Sequence, residues 1–329
     1  MTESVPQKRN KWWPAQLALI LLAIVILLLF QPWNINQLVS HPNPVKSYEE
    51  AVQRIDATKA TEGNLNPVCQ TKFLSHGKQT ARTIVFVHGY TTCPQQFTEL
   101  GKRFYELGYN VLIMPAPHHG LMDRYSHDQG NLTAEEMTAY ADNIVDIAQG
   151  LGQRVTIAGF SMGGVVAAWV GQNRSDVDLA VAISPGFSFK EVPGWAIAPV
   201  DNVFLILPVS YEWWNSALKE KTEPTYAYPI YSKHVLGEQL RISFAVQAQA
   251  QQSAPRAKAL LVITNGNEPA VDNNMTAQVV KLWQAKRANV STYEFPQKLE
   301  IVHDMIDATG NPGAHVDIVY PKLIELINQ

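Results

Sequence analysis

Residues 154–164 read Arg-Val-Thr-Ile-Ala-Gly-Phe-Ser-Met-Gly-Gly, and their order predicts a strand, a sharp turn and the start of a helix. The run RVTIA is short, apolar and β-branched, the composition of a strand buried on both faces. Gly159-Phe-Ser-Met-Gly163 matches Gly-x-Ser-x-Gly, and Gly164–Gln172 has helical composition. A strand that passes so directly into a helix forces its central residue into a strained backbone. Small residues two before and two after avoid clashes, and the central hydroxyl projects from the carboxyl edge of the sheet. The helix behind it offers backbone N–H groups and a partial positive charge to a developing oxyanion. Ser161 is therefore the candidate nucleophile.

Strands and helices alternate on both sides of this turn. Thr83–Val87, Tyr109–Met114, Leu179–Ser184, Ala259–Thr264 and Val290–Phe295 read as strands. Between or after them, Pro94–Leu107, a helix from a capping box at Thr133 to Ala148, Met275–Arg287 and Val316–Ile327 have helical spacing. This rhythm predicts an α/β fold with a mainly parallel sheet flanked by helices, spanning residues 67–329. About 75 residues, 185–258, break the rhythm and carry many Trp, Tyr and Pro; a structureless loop of that length is disfavoured, so a partly helical cap insertion is expected.

A second element, His88-Gly89-Tyr90, ends the strand Thr83–Val87. An acyl-transfer intermediate needs two donors on its oxygen, and the backbone N–H groups of Tyr90 and Met162 are the candidates for that oxyanion hole. His88, at a strand end before glycine, reads more readily as a backbone hydrogen-bonding residue than as a general base.

Three segments in this order, HGYT at 88–91, GFSMGG at 159–164 and VHDMID at 302–307, resemble the α/β-hydrolase superfamily, in particular its bacterial carboxylesterases and monoacylglycerol-lipase-like members. The resemblance covers roughly residues 70–329 and is weak in the cap. It implies an α/β-hydrolase fold and a serine nucleophile. It puts the base at His303, in the loop after the last strand, with His315 as the alternative. It puts the acid after the strand that follows the cap, where Thr264-Asn-Gly-Asn-Glu268-Pro-Ala-Val-Asp272 offers Glu268 at the usual aspartate position and Asp272 as the alternative. A glutamate serves if the backbone absorbs its extra methylene, since the carboxylate has only to accept the imidazole Nδ1–H.

Pro117-His118-His119-Gly120, with Asp123, His127 and Asp128, has metal-ligand residue types, but relatives often have a Gly-His-Gly loop here beside the pocket. Neither metal nor cofactor is expected. Trp213, Trp214 and the cap tyrosines read equally well as pocket lining or as the cap's own core.

The N-terminal part has a different character. No residue from Leu17 to Phe30 is polar, the apolar stretch reaches from Trp12 to Trp33, and Lys8, Arg9 and Lys11 precede it. Roughly 20 such residues cross a ~30 Å hydrocarbon core, and basic residues favour the cytoplasmic side. The expectation is a cytoplasmic N-terminus (1–11), a transmembrane anchor (12–33), a tether (34–66) and an extracytoplasmic catalytic domain, or else a secreted domain after cleavage of a signal. In an oxidising compartment Cys69 and Cys93, the two cysteines of the chain, would form a disulfide. The net charge of −3 with no long basic run leaves nucleic acid out as a partner.

These readings converge on a serine hydrolase acting on small-molecule carboxylic esters through an acyl-enzyme. A thioesterase, acyltransferase or amidase/peptidase would use the same residues. A non-catalytic, membrane-tethered binding protein on a hydrolase scaffold is the alternative from a different class.

Overall fold

The computed structural model describes residues 12–219 and 224–329. In chain order the elements are helix α1 (Trp13–Leu29), α2 (Tyr48–Lys59), strands β1 (Lys72–Leu74) and β2 (Thr80–Val87), α3 (Thr98–Glu106), β3 (Asn110–Ile113), α4 (Ala134–Leu151), β4 (Gly152–Phe160), α5 (Met162–Asn173) and β5 (Leu179–Ile183). There follow α6 (Ile197–Ile206), β6 (Tyr211–Trp213), β7 (Ile230–Ser232), α7 (Lys233–Gln252), β8 (Ala259–Asn265), α8 (Asn273–Ala285), β9 (Val290–Phe295) and α9 (Val316–Ile327). Seven strands form one sheet in the order β1-β3-β2-β4-β5-β8-β9, parallel except for β1. This is the arrangement of an α/β-hydrolase fold, as expected from the alternating strands and helices.

Alternation within each strand supplies two cores. Val85, Val87, Ile157 and Val262 face α4, α5, α7 and α8, whereas Ile84, Phe86, Val181 and Ile263 face α3 and α9. The chain leaves β2 toward β3 and then returns to the other side of β2 as β4, so the connections diverge above the carboxyl ends of β2 and β4. Such a switch point opens a crevice suited to a ligand. The register brings the two ends level, with Val87 opposite Gly159.

Three expectations about the flanking segments change. Residues 34–66 are not a loose tether: Leu38, Val45, Ala51 and Ile55 are buried, and α2 packs on the domain. The polar residues of this stretch have a structural role as well. Ser40 Oγ and the His41 N–H donate to Asp142, and the Asn43 N–H donates to Asp146. Those two carboxylates also hold the buried guanidinium of Arg174, which Asp176 completes. A buried cation of this kind needs every donor paired.

The cap is also smaller than 185–258. Helix α7 buries Val235, Ile242, Ala245 and Val246 in the main core, so it is a crossover helix of the sheet, and the insertion above the sheet lies between β5 and α7.

The apolar N-terminal segment forms α1, 17 residues long with none buried. At the usual rise it measures about 26 Å, short of the ~30 Å hydrocarbon thickness. Among the described residues no helix is long and apolar enough to cross a membrane, so the transmembrane anchor over 12–33 is not supported. The helix ends early because Pro32 disfavours continuation. The Asn202 amide of α6 donates to the Leu29 and Gln31 carbonyls. Lys8, Arg9 and Lys11, on which the orientation rested, lie outside the described residues.

Beside Asn202, Asp201 is fully buried against α7, and neither of its oxygens has a hydrogen-bond partner among the described residues. Burial, reinforced by Glu238 and opposed by Arg241, pushes its carboxyl up to about 8. An unfolded aspartate titrates near 4. The raised folded value therefore contributes stability that is fully present below about pH 4 and is lost as pH rises through about 8. Asp201→Asn is expected to raise the melting temperature near neutral pH, with a gain that grows from pH 4 to 8. A gain that is absent or constant with pH would refute this.

The Cys69–Cys93 disulfide forms across 24 residues, with the two Cα atoms 5.3 Å apart. Gly120 (φ +76°) packs directly on it, and a Cβ there would stand 2.7 Å from Cys69 Cβ. The bridge thus joins the segment before β1 to the loop after β2, and the loop after β3 packs against it. In urea unfolding, reduction or Cys93→Ser is expected to remove about 3 kcal/mol.

Candidate active site

The nucleophile turn is enforced by contact. A Cβ on Gly159 would stand 1.8 Å from the Gly163 carbonyl oxygen, and one on Gly163 would stand 2.1 Å from the Val87 oxygen. With backbone so closely packed, Ser161 takes φ 55° and ψ −112°, a conformation that costs a non-glycine residue of order 1–3 kcal/mol. Neighbouring backbone holds it there. The Ser161 N–H donates to the Ile183 carbonyl, and the Gly186 N–H donates to the Ser161 carbonyl. Gln239 of α7 in turn donates to the Gly186 carbonyl.

Ser161 Oγ lies 3.0 Å from His303 Nε2, although 142 residues separate them in sequence. On the far side of the ring, Nδ1 is 2.8 Å from Glu268 Oε1. That is hydrogen-bond distance, but the ring N–H is aimed off the oxygen, so the contact is a close approach that alignment would improve. The same carboxylate oxygen accepts the Ala270 and Val271 N–H groups, so the glutamate curls back over its own loop. This curl accommodates the extra methylene. Burial pushes the Glu268 carboxyl up, but the hydrogen bond and charge of His303 together with the two backbone donors outweigh it, and the net direction is down.

Asp272 is elsewhere. Its side chain accepts the Asn274 N–H and caps α8. His315 sits exposed at the start of α9 in a left-handed conformation, and no contact joins it to Ser161. His88 is wholly engaged: Nδ1 donates to the Gly89 carbonyl and Nε2 accepts the Ala116 N–H. Complete burial lowers its pKa to about 4, so it is a neutral structural imidazole.

Met162 is the first residue of α5, where a backbone N–H has no partner within its helix. Tyr90 follows β2 on the opposite wall. Its phenol accepts the Ser232 N–H, and its ring meets those of His119 and Trp214. The neighbouring Thr91 accepts the Trp214 indole N–H on its hydroxyl and the Tyr228 N–H on its carbonyl. The cap and the loop after β2 are therefore one packed unit.

Above Ser161 and His303 lies a cleft of about 810 Å³, lined by apolar residues including Phe189, Val192, Phe204, Trp214, Tyr231 and Leu236. Trp214 lines the cleft, while Trp213 faces Tyr125 and Lys219. The volume suits a small to medium organic ligand.

The histidines after β3 part company. His118 lies between Asp128 and Glu136, whereas His119 turns inward and donates to the Pro117 carbonyl. Among the described residues no group of three or more His, Cys, Asp or Glu is arranged to hold a metal ion.

One pairing had no signal in the sequence. Gln96 and Asp304 are hydrogen-bonded across 208 residues, at the cleft wall. Burial and the Asp307 carboxylate push the Asp304 carboxyl up, against the pull of Gln96 and two backbone N–H groups. In sequence Asp304 is only the residue after His303 within VHDMID, and a glutamine in a helical turn such as Gln96 carries no chemical signature.

A sequence profile of the family described as serine aminopeptidase, S33, matches residues 78–296. No curated protein sequence matches the chain. Among solved structures, one of two metagenome-derived lipolytic enzymes is similar at TM-score 0.59 and 16% identity, over 80% of this chain and 99% of that one. The monoacylglycerol lipase of Paleococcus ferrophilus is similar at TM-score 0.58 and 14% identity, over 78% and 97%. The Saccharomyces cerevisiae monoglyceride lipase, bound to a substrate analogue, is similar at 0.56 and 10%, over 78% and 91%. At such identities the structural likeness establishes the fold alone. The profile spans two thirds of the sequence, through the nucleophile turn and the Glu268 loop, and the chain therefore belongs to the S33 serine aminopeptidase family of the α/β-hydrolase superfamily.

Proposed function

We propose that the protein is a serine hydrolase that cleaves carboxylic esters through an acyl-enzyme on Ser161. One observation carries the reading: Ser161 Oγ stands 3.0 Å from His303 Nε2 while Glu268 Oε1 stands 2.8 Å from Nδ1 of the same ring. In this mechanism His303 takes the serine proton as Oγ attacks the substrate carbonyl. Glu268 holds the ring and stabilises the imidazolium that results. The Tyr90 and Met162 N–H groups receive the oxyanion. His303 then delivers its proton to the leaving alcohol, and water, deprotonated by the same ring, releases the acid.

The apolar cleft supports an acyl chain or aromatic group as the part of the substrate bound there. The family's description favours a second reading, in which the same acyl-enzyme forms from a peptide amide. An aminopeptidase must hold an N-terminal ammonium. Of the two carboxylates that line the cleft among the described residues, Glu191 is exposed and Asp304 is committed to Gln96 and two backbone N–H groups. The ester reading therefore stands first. Thioester cleavage and acyl transfer share the intermediate and differ only in the leaving group or acceptor.

The proposal also puts the catalytic domain outside the cytoplasm, exported by way of the apolar N-terminal segment. The disulfide supports an oxidising compartment, and the basic residues Lys8, Arg9 and Lys11 support a cytoplasmic N-terminus.

A fluorophosphonate probe should label Ser161, and labelling should vanish in Ser161→Ala together with hydrolysis of a short-chain nitrophenyl ester. Full activity in Ser161→Ala would end the proposal. Failure of the wild type to label would favour a non-catalytic scaffold. Glu268→Gln is expected to lower kcat by about 10³–10⁴, the scale seen when a triad carboxylate is neutralised. Asp272→Asn should leave kcat within a few-fold, and Asp272→Ala should cost about 1 kcal/mol of stability through the lost helix cap. If the two kcat effects were reversed, the acid assignment would fall.

A further inference from the structure

We infer that Gln96 is a positioning residue for the reaction: its one buried amide clamps the oxyanion loop to the histidine loop, fixing the distance between the Tyr90 N–H and His303. The inference rests on the ester-hydrolase reading of Ser161 and His303, and it adds a residue that none of the motifs contains.

Gln96 is 1% exposed and uses both ends of its amide. Oε1 accepts the Gly89 N–H at 2.8 Å and the Thr92 hydroxyl at 3.0 Å. Nε2 donates to Asp304 Oδ2 at 2.9 Å. The other Asp304 oxygen accepts the Ile306 and Asp307 N–H groups at 3.2 and 3.1 Å. One end of the chain of bonds is thus the residue immediately before Tyr90, and the other is the residue immediately after His303. The loop bearing His303 has no regular secondary structure, so side-chain contacts must hold it in place. Glu268 fixes the ring from one side. Gln96 and Asp304 fix the loop's backbone from the other.

The direction of each bond is dictated by chemistry. A backbone N–H can only donate, so Gly89 requires an acceptor on residue 96 in every state. The amide nitrogen is then left facing residue 304, which must accept. Gln96→Glu would set two carboxylates against each other with no donor between them. Asp304→Asn would set two amide nitrogens against each other, and turning the Gln96 amide over would strand the Gly89 N–H. The combined Gln96→Glu/Asp304→Asn variant reverses donor and acceptor across the one bond. Its glutamate still accepts from Gly89, its asparagine donates to that glutamate, and the asparagine oxygen still accepts from Ile306 and Asp307. The net charge is unchanged.

The test is a double-variant cycle on the full chain, reading kcat and KM for a short-chain nitrophenyl ester, the fluorophosphonate labelling rate and the melting temperature. Rates are taken per labelled serine, so that misfolded protein does not count. Each single variant is expected to lose about 10- to 100-fold in kcat and labelling rate, with KM changed by less than about threefold. The combined variant is expected to return to within about threefold of the wild type. Singles that retain kcat per labelled serine within twofold, whatever their melting temperature, would overturn the clamp and leave Gln96 a structural residue. A combined variant no better than the worse single would overturn it too. A wild type that neither hydrolyses nor labels would instead overturn the hydrolase reading, and the clamp would fall with it.

Discussion

The close approach of three backbone segments at Gly159, Gly163 and the Val87–His88 peptide is the constraint on which the site depends. No side chain fits where β4, α5 and the end of β2 meet, and the chain must therefore turn within one residue. That residue is Ser161, held in a left-handed, strained conformation by hydrogen bonds from the β5 side. The local cost falls on Ser161 because seven packed strands and their two apolar cores over-determine its surroundings.

The remaining parts of the site arrive on loops, and each loop is stiffened from outside itself. The loop after β2 is bridged by a disulfide to the approach to β1, covered by Tyr90 and Thr91 contacts to the cap, and tied below by Gln96. The Glu268 loop folds onto its own carboxylate, while the backbone of Lys190 pairs with it from the start of the insertion. Preorganisation of this kind matters more for acyl transfer than any single contact, because donors already aimed at the developing charge need no reorganisation during the reaction.

The periphery follows a different logic. Arg174, buried among three carboxylates, draws the 40–43 segment onto the domain, because those carboxylates have lone pairs left to satisfy. Helix α6 grips the carboxyl end of α1 through Asn202 and at the same time buries the unpaired Asp201 against α7. A buried carboxyl without partners among the described residues is a place where stability has been given up, and here it lies in the cap that roofs the cleft, next to the residue that holds the end of the N-terminal helix.

Composition and spacing determined much of this by themselves. Alternating β-branched strands and amphipathic helices specify the parallel sheet, since apolar periodicity decides which faces can be buried. Gly-x-Ser-x-Gly between a strand and a helix specifies the turn at Ser161, because the steric demand is local. The family resemblance carried the reading further, to His303 and Glu268. Only tertiary structure decided the rest. Glu268 and Asp272 are equivalent carboxylates in sequence, and they separate because one curls toward His303 while the other begins α8. Residues 34–66 look like a linker until the buried demands of Asp142, Asp146 and the core are met in three dimensions. The apolar N-terminal run says nothing of where its helix must stop, which Pro32 and a distant Asn202 govern. Gln96 and Asp304 are invisible to any pattern, because a hydrogen bond across 208 residues exists only once the sheet has brought its two loops to the same edge.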